Sequence, residues 1–287
     1  MNPYIQSVLL GIVEGLTEFL PVSSTAHLRI TEALMKIPLD DAYWKMYTIV
    51  IQLGAILALL LLFLSRIVDF LRTFPQGENR DRTWLNHPLS LTMIAFAFTS
   101  APALLLHKWS EKNLGSLTVM ALALLIGGIV MWIVDVWSDR YDAGTNHVEE
   151  MTLPQAIWIG LCQTLSAIFP GTSRSMSTIA AGQIAGMDRP TALEFSFLLS
   201  IPTMIAATLW DLKKEVFPSH GVAAHVVMNG ENWIVLIIGF VVSFIVALGV
   251  VEWFLFWVRK HGFTMFAIYR IILGVALLIW GTKFIGS

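Results

Sequence analysis

Long apolar runs alternate with short polar breaks along this chain, and the runs are of two lengths. Six reach the roughly 20 residues that a helix needs to cross a bilayer core: 43–64, 89–107, 115–137, 191–210, 233–257 and 263–284. Two others, 5–20 and 154–169, fall short of that length. Each stops at a proline, Pro21 or Pro170, and is followed by a Ser/Thr-rich turn and a second short helical stretch. This pattern predicts a re-entrant helix hairpin that dips into the membrane and returns. Irregular backbone at that depth is tolerated only where protein or a wet cavity surrounds it.

The two short runs repeat each other. "GIVEGLTEFLPVSST", starting at Gly11, matches "GLCQTLSAIFPGTSR", starting at Gly160, 149 positions later. Gly11 falls on Gly160, Leu16 on Leu165, Pro21 on Pro170 and Ser24 on Ser173, while Glu14 meets the isosteric Gln163 and Thr17 meets Ser166. Three predicted spans follow each copy. The expected fold is an all-α polytopic membrane protein with an inverted-topology repeat, each half a re-entrant hairpin plus three transmembrane helices. The halves run from about 1 to 140 and from about 150 to 287 within one integral membrane domain. The number of crossings between the hairpins is odd, so the second enters from the opposite face. Repeats of this kind hold their shared site near the midplane, where broken helices meet.

Composition agrees with the pattern. The chain is 56% hydrophobic and 13% charged, with a mean hydropathy of +0.71, against about 25% charged residues in a soluble domain. A net charge of −2 argues against nucleic acid as a partner. The single cysteine, Cys162, excludes an internal disulfide and any cysteine-based metal site. It reads as a small packing residue. Residues 1–6 lack the positive start of a cleavable signal, so the first apolar run is expected to belong to the working protein. Trp44, Trp84, Trp109, Trp137, Trp233 and Trp280 lie at the edges of apolar runs, where aromatic rings favour the membrane–water boundary. Arg66, Arg72, Arg80 and Arg82 make the 65–88 loop the densest basic segment. That loop is therefore assigned to the cytoplasm, with both termini outside it.

The candidate chemistry lies in the two hairpins. Glu14 and Glu18, four apart on a helix, share one face. Burying both costs several kcal/mol unless a divalent cation, a shared proton or an arginine compensates. Beyond Pro21, Ser23, Ser24 and Thr25 suit the start of a second helix, whose free N–H groups and positive dipole end favour an anion such as phosphate. His27 lies close enough in sequence to activate Ser24 or to act as a nucleophile itself. In the second copy Ser173, Arg174, Ser175 and Thr178 supply a guanidinium and hydroxyls for phosphate oxygens. Gln52, Glu194 and Arg270 are expected to serve helix packing or interfacial ion pairs. Asp135 and Asp211 are expected to be solvated at span ends. His87, His147, His220, His225 and His261 have no metal-site spacing, and Gly127-Gly128 suggests close helix packing.

At this point the chain resembles the undecaprenyl-pyrophosphate phosphatase family of the BacA type, linked to bacitracin resistance. The resemblance rests on "GIVEGLTEFLPVSSTAH", "VIQLGAILAL", "PGTSRSMST", "EFSFLLSIP" and "FAIYR" in order along nearly the whole chain. It implies an enzyme of the bacterial inner membrane that hydrolyses the C55 isoprenyl pyrophosphate to the monophosphate and inorganic phosphate, recycling the lipid carrier for cell-wall synthesis. It further implies Mg2+ or Ca2+ on Glu14 and Glu18. Glu14, Glu18, Ser24, His27 and Arg174 are then the catalytic residues, with Ser23, Thr25, Ser173, Ser175 and Thr178 binding substrate. Ser24 attacking with His27 as base is the leading route, with His27 phosphorylation or metal-activated water as rivals. The active site is expected to open to the periplasmic side, and the partners to be the lipid substrate and membrane lipids, with a homodimer left open. The chain departs from the family pattern at Ala26 and Met176, where glycine is usual. The alternative is a transporter or flippase of a polyprenyl phosphate built on the same inverted repeat.

Overall fold

In a computed structural model the described residues are 1–38, 41–77, 82–113, 116–140, 142–216 and 228–284. Arg80, His220 and His225 lie outside them, as do the side chains of Lys108, Trp109, Lys112, Lys214 and Lys283. These residues form helices and no strand. The order is α1 (Pro3–Thr17), α2 (Ser24–Leu34), α3 (Ala42–Leu62), α4 (Leu64–Thr73), α5 (Pro88–Asn113) and α6 (Leu117–Ser138). A 3-10 turn at Val148–Glu150 leads to α7 (Leu153–Ile168), α8 (Arg174–Ile184), α9 (Arg189–Val216), α10 (Gly230–His261) and α11 (Thr264–Phe284).

Six helices, α3, α5, α6, α9, α10 and α11, are long and apolar enough to span a membrane. They fall on the six runs predicted from the sequence. Their outward faces expose Leu105, Ile126, Ile133, Ile245 and Ile272, a surface that lipid solvates and water does not. The chain is a multi-pass membrane protein. The amphipathic α4, absent from the predicted elements, is tied down by Arg66, which bonds Glu194 at 2.8 Å and Glu149 at 2.6 Å.

Local signals explain the helix starts. Asn2 accepts from the Tyr4 N–H with Pro3 in the first turn, Asp41 accepts from Trp44, and Thr152 with Gln155 forms a capping box ahead of α7. The short pairs α1–α2 and α7–α8 break where the prolines predicted. In each pair the first helix crosses a long helix of the other half at a glycine. A Cβ on Gly11 would lie 2.7 Å from the Gly239 carbonyl in α10, and one on Gly160 would lie 2.4 Å from the Ala95 carbonyl in α5. Within a membrane such close backbone approach replaces the hydrophobic drive of soluble cores. Gly128 does the same between α6 and α11, where a Cβ would lie 2.9 Å from the Ala267 carbonyl, and Gly127 makes room for the side chains of Arg270 and Met176.

Asp135 corrects an expectation. Placed with the solvated span-end acids, it is fully buried instead. Its carboxylate accepts from Arg189 Nε at 2.8 Å, the Phe263 N–H at 2.9 Å, Thr264 Oγ1 at 2.8 Å and Gln183 Nε2 at 3.4 Å. Those donors come from α8, α9 and the α10–α11 turn, so one carboxylate ties the ends of several helices together. Gly262, at φ 65°, makes room for it, since a Cβ there would meet both Arg189 and Asp135 at 2.9 Å. Sequence alone could not separate this acid from Asp139, four residues on and also bonded to Arg189 but largely exposed.

Removing one partner of a buried pair strands the other, at about 3–5 kcal/mol. Asp135→Ala is expected to lower the unfolding temperature in detergent by several degrees. Asp139→Ala, losing an exposed arm, should cost less than about 1 kcal/mol. Equal melting shifts for the two would contradict this account.

Candidate active site

The two turns are built alike. Ser23 and Ser173 both take left-handed backbone, φ 74° and 71°, a strain of about 1–3 kcal/mol each that the surroundings must hold in place. Each then caps the next helix: Ser23 Oγ accepts from the Ala26 N–H at 3.5 Å and Ser173 Oγ from the Met176 N–H at 3.3 Å. The N-termini of α2 and α8 thus open toward a shared cavity of about 220 Å³. Ser175 Oγ bridges the hairpins by donating to the Leu20 carbonyl at 2.9 Å.

Of the residues singled out in the sequence, Glu18, Ser23, Ser24, Thr25, Ser173 and Arg174 line this cavity. Ser24 Oγ donates to Glu18 Oε2 at 2.5 Å, and Arg174 Nη2 reaches Glu18 Oε1 at 3.5 Å. Arg174 also donates to the Ser196 carbonyl at 3.4 Å and lies over the Phe19 ring. Glu14, one turn before Glu18, is fully buried, and among the described residues no group meets either of its carboxylate oxygens in good hydrogen-bond geometry. Such a group needs a cation or a proton.

Other expected residues sit differently. His27 does not bond Ser24: its Nδ1 is 2.7 Å from the Ser23 carbonyl and its Nε2 is 2.6 Å from the Tyr269 hydroxyl, with the two rings stacked. A carbonyl only accepts, so Nδ1 carries a proton. In this structure the group hydrogen-bonded to Ser24 is Glu18 and not His27. Ser175 and Thr178 are fully buried and bonded internally, Thr178 to Ser196 Oγ at 2.6 Å and to the Arg174 carbonyl at 3.0 Å. Expected among the substrate ligands, both have their hydroxyls bonded within the protein.

Sequence reasoning missed part of the wall. Gln52, Thr99, Gln163 and Thr203 line the cavity, and Gln163 Nε2 donates to Thr99 Oγ1 at 3.2 Å and Thr203 Oγ1 at 3.0 Å. Gln163 could have been found, because the repeat sets it opposite Glu14. Isolated threonines within spans carry no such signal. The most consequential miss is Arg270, a fully buried guanidinium that donates to the Pro21 carbonyl at 3.1 Å, Gly171 at 3.2 Å, Thr172 at 2.8 Å and Ala123 at 3.1 Å. It makes neither a surface ion pair nor a simple helix contact, because it holds both turns. The two departures from the family pattern also find places. Ala26 packs fully buried against Met120 and Leu124, and Met176 fills the space beside Gly127.

Comparison with known proteins identifies the family. The family description "Bacitracin resistance protein BacA" matches residues 7–276. An undecaprenyl-diphosphatase from Koribacter versatilis is 59% identical over 287 residues, covering 99% of this chain and 100% of that one. Proteins of the same name from Caldanaerobacter subterraneus and Rhizobium etli are 39% and 42% identical, each covering at least 96% of both chains. With its six spanning helices and a match running almost end to end, the chain belongs to the BacA family.

Proposed function

We propose that this protein is a membrane phosphatase that hydrolyses undecaprenyl diphosphate to undecaprenyl phosphate and inorganic phosphate. The observation that carries this reading is the cavity itself: a serine hydroxyl bonded to a carboxylate, beside an arginine and two helix N-termini. Its relatives bear the matching name at up to 59% identity over full length. A carrier of lipid phosphate would need the arginine and the helix ends but would have little use for a hydroxyl held on a carboxylate.

The architecture supporting this role is an inverted repeat with two re-entrant hairpins. Exchanging the halves turns the α1–α10 packing into α7–α5 and the α3–α10 packing into α9–α5. The α6–α11 and α3–α9 contacts map onto themselves. These pairings support a pseudo-twofold relation, although the α8–α9 and α6–α8 packings have no counterpart of similar extent among the described residues. We place the protein in the bacterial inner membrane, with the 65–88 loop cytoplasmic and the cavity opening to the extracytoplasmic side. The basic density of that loop supports this orientation.

Chemically, Glu18 takes the proton from Ser24 as its oxygen attacks the terminal phosphorus. The bond from that phosphorus to the bridging oxygen breaks, and undecaprenyl phosphate leaves. Arg174 and the N-termini of α2 and α8 hold the phosphate oxygens and stabilise the charge that builds on them. Water then cleaves the phosphoserine. His27 keeps the turn in shape through the Ser23 carbonyl. Glu14 and Glu18 suit a divalent cation of the Mg2+ or Ca2+ class: no cluster of three or more acid, histidine or cysteine ligands occurs among the described residues, and Mg2+ is commonly held by one or two carboxylates with substrate phosphates and water completing its shell. Such an ion supplies charge neutralisation for the diphosphate.

Three outcomes are expected. In detergent, purified protein releases phosphate from a C15 or C55 diphosphate with Mg2+ present and loses that activity to a chelator; a chelator-insensitive rate removes the cation from the reading. Ser24→Ala and Glu18→Gln each lower kcat by roughly 1,000-fold or more, on the scale seen when a nucleophile or its base is lost. Rapid acid quenching traps labelled phosphate on the parent and on His27→Ala but not on Ser24→Ala. Label that persists without Ser24 assigns the nucleophile elsewhere.

A further inference from the structure

Arg270 lies in α11, far in sequence from both hairpins, and is entirely shielded from solvent. An arginine so deep usually meets a carboxylate. The partners of this one, among the described residues, are four backbone carbonyls, and its Nε has none. Its charge therefore has no counter-ion at contact distance. It sits directly behind the phosphate cavity, on the Pro21 carbonyl of one turn and the Gly171 and Thr172 carbonyls of the other.

A peptide unit is planar, with C=O and N–H pointing in opposite directions. Drawing the Thr172 carbonyl toward α11 turns the Ser173 N–H the other way, and Ser173 lines the cavity. The same guanidinium fixes Pro21, two residues before the strained Ser23. One side chain thus sets the backbone of both turns from which Ser24 and Arg174 project. Room for it is specified too. A Cβ on Gly127 would lie 2.4 Å from Arg270 Nη2 and 2.6 Å from Met176 Cε, so only glycine at this point in α6 admits both side chains undisturbed.

We infer that Arg270 is a positioning residue for phosphoryl transfer: it aligns the two turns, aims the Ser173 N–H at the phosphate, and sets an uncancelled positive charge behind the site. The inference rests on the phosphatase reading above. Lysine at this position would keep the charge but lose the planar fork that spans several carbonyls. Methionine would lose both.

The test compares parent, Arg270→Met, Arg270→Lys and Gly127→Ala in detergent. It measures kcat and KM on farnesyl diphosphate, competitive inhibition by orthophosphate, and thermal unfolding. Arg270→Met is expected to lower kcat roughly 100-fold, the scale of a 1 Å misplacement of reacting groups, and to weaken orthophosphate about tenfold or more. Arg270→Lys should keep orthophosphate inhibition near that of the parent while kcat stays down about tenfold. Gly127→Ala, which displaces the guanidinium without removing it, should follow the lysine variant. A folded Arg270→Met whose kcat and orthophosphate inhibition lie within about twofold of the parent overturns the inference. If that variant does not fold, unchanged kcat in both Arg270→Lys and Gly127→Ala overturns it instead. Failure of the phosphatase reading shows separately, as a parent that turns nothing over. The inference is then judged by whether orthophosphate raises the melting temperature of the parent but not of Arg270→Met, and equal shifts sink it.

Discussion

Two chain breaks buried among the helices impose the governing constraint on this fold. A helix satisfies its own backbone, but a turn within the bilayer leaves N–H and C=O groups that lipid cannot serve, each costing several kcal/mol if left alone. The carbonyls go to Arg270, which takes three of them from the two turns, and to Ser175, which takes the Leu20 carbonyl across the hairpins. Some of the N–H groups go to Ser23 and Ser173. A helix start leaves further N–H groups without a partner in the helix itself, and at α2 and α8 these lie beside the cavity, where water or a polar ligand can meet them. The solution to a backbone problem is thus already half of an anion site.

The charges follow from the same geometry. Arg174 reaches Glu18, while among the described residues Glu14 is buried with neither oxygen met in good hydrogen-bond geometry and Arg270 is buried without a carboxylate. Formally the two acids and two guanidiniums cancel, yet two of the four are not paired at contact distance. A diphosphate carrying a divalent cation suits both at once, offering positive charge to the acids and oxygens to the arginine side. In a low-dielectric setting such pairings are worth far more than in water. On the proposed function the site would discriminate by completing itself, and a neutral lipid or a free metal alone would do only part of this.

Run length and proline position made the spans and the broken helices legible in the sequence, because a bilayer sets a fixed helix length and because proline removes a backbone donor. The repeat pointed to the two serine turns, and Glu18, Ser24 and Arg174 stand out there by residue type and spacing alone. Other features were not legible. Asp135 and Asp139 look alike in sequence and differ only in what the ends of α8, α9 and α11 bring to them. Arg270 reads as a span-end cation because its partners are backbone groups, which leave no mark in side-chain identity. Thr99 and Thr203 are ordinary span residues until Gln163 joins them across the cavity.

Ser24 and His27 show how little spacing alone decides. Three residues apart at a helix start, they read as a nucleophile and its base, and the family resemblance encourages that pairing. In space the left-handed Ser23 turns its carbonyl toward His27 Nδ1, and Tyr269 of α11 takes Nε2, so both ring nitrogens are engaged by groups other than Ser24. Glu18, just past the end of α1, meets the Ser24 hydroxyl instead. A carboxylate partly neutralised by Arg174 remains a usable proton acceptor for an alcohol that is losing its proton to an incoming phosphorus, and the proton then lies between groups from a single hairpin. In the proposed reaction Arg174, from the other hairpin, is left to hold the phosphate. One hairpin then serves the proton and the nucleophile and the other the charge, with Arg270 of α11 bonded to both turns.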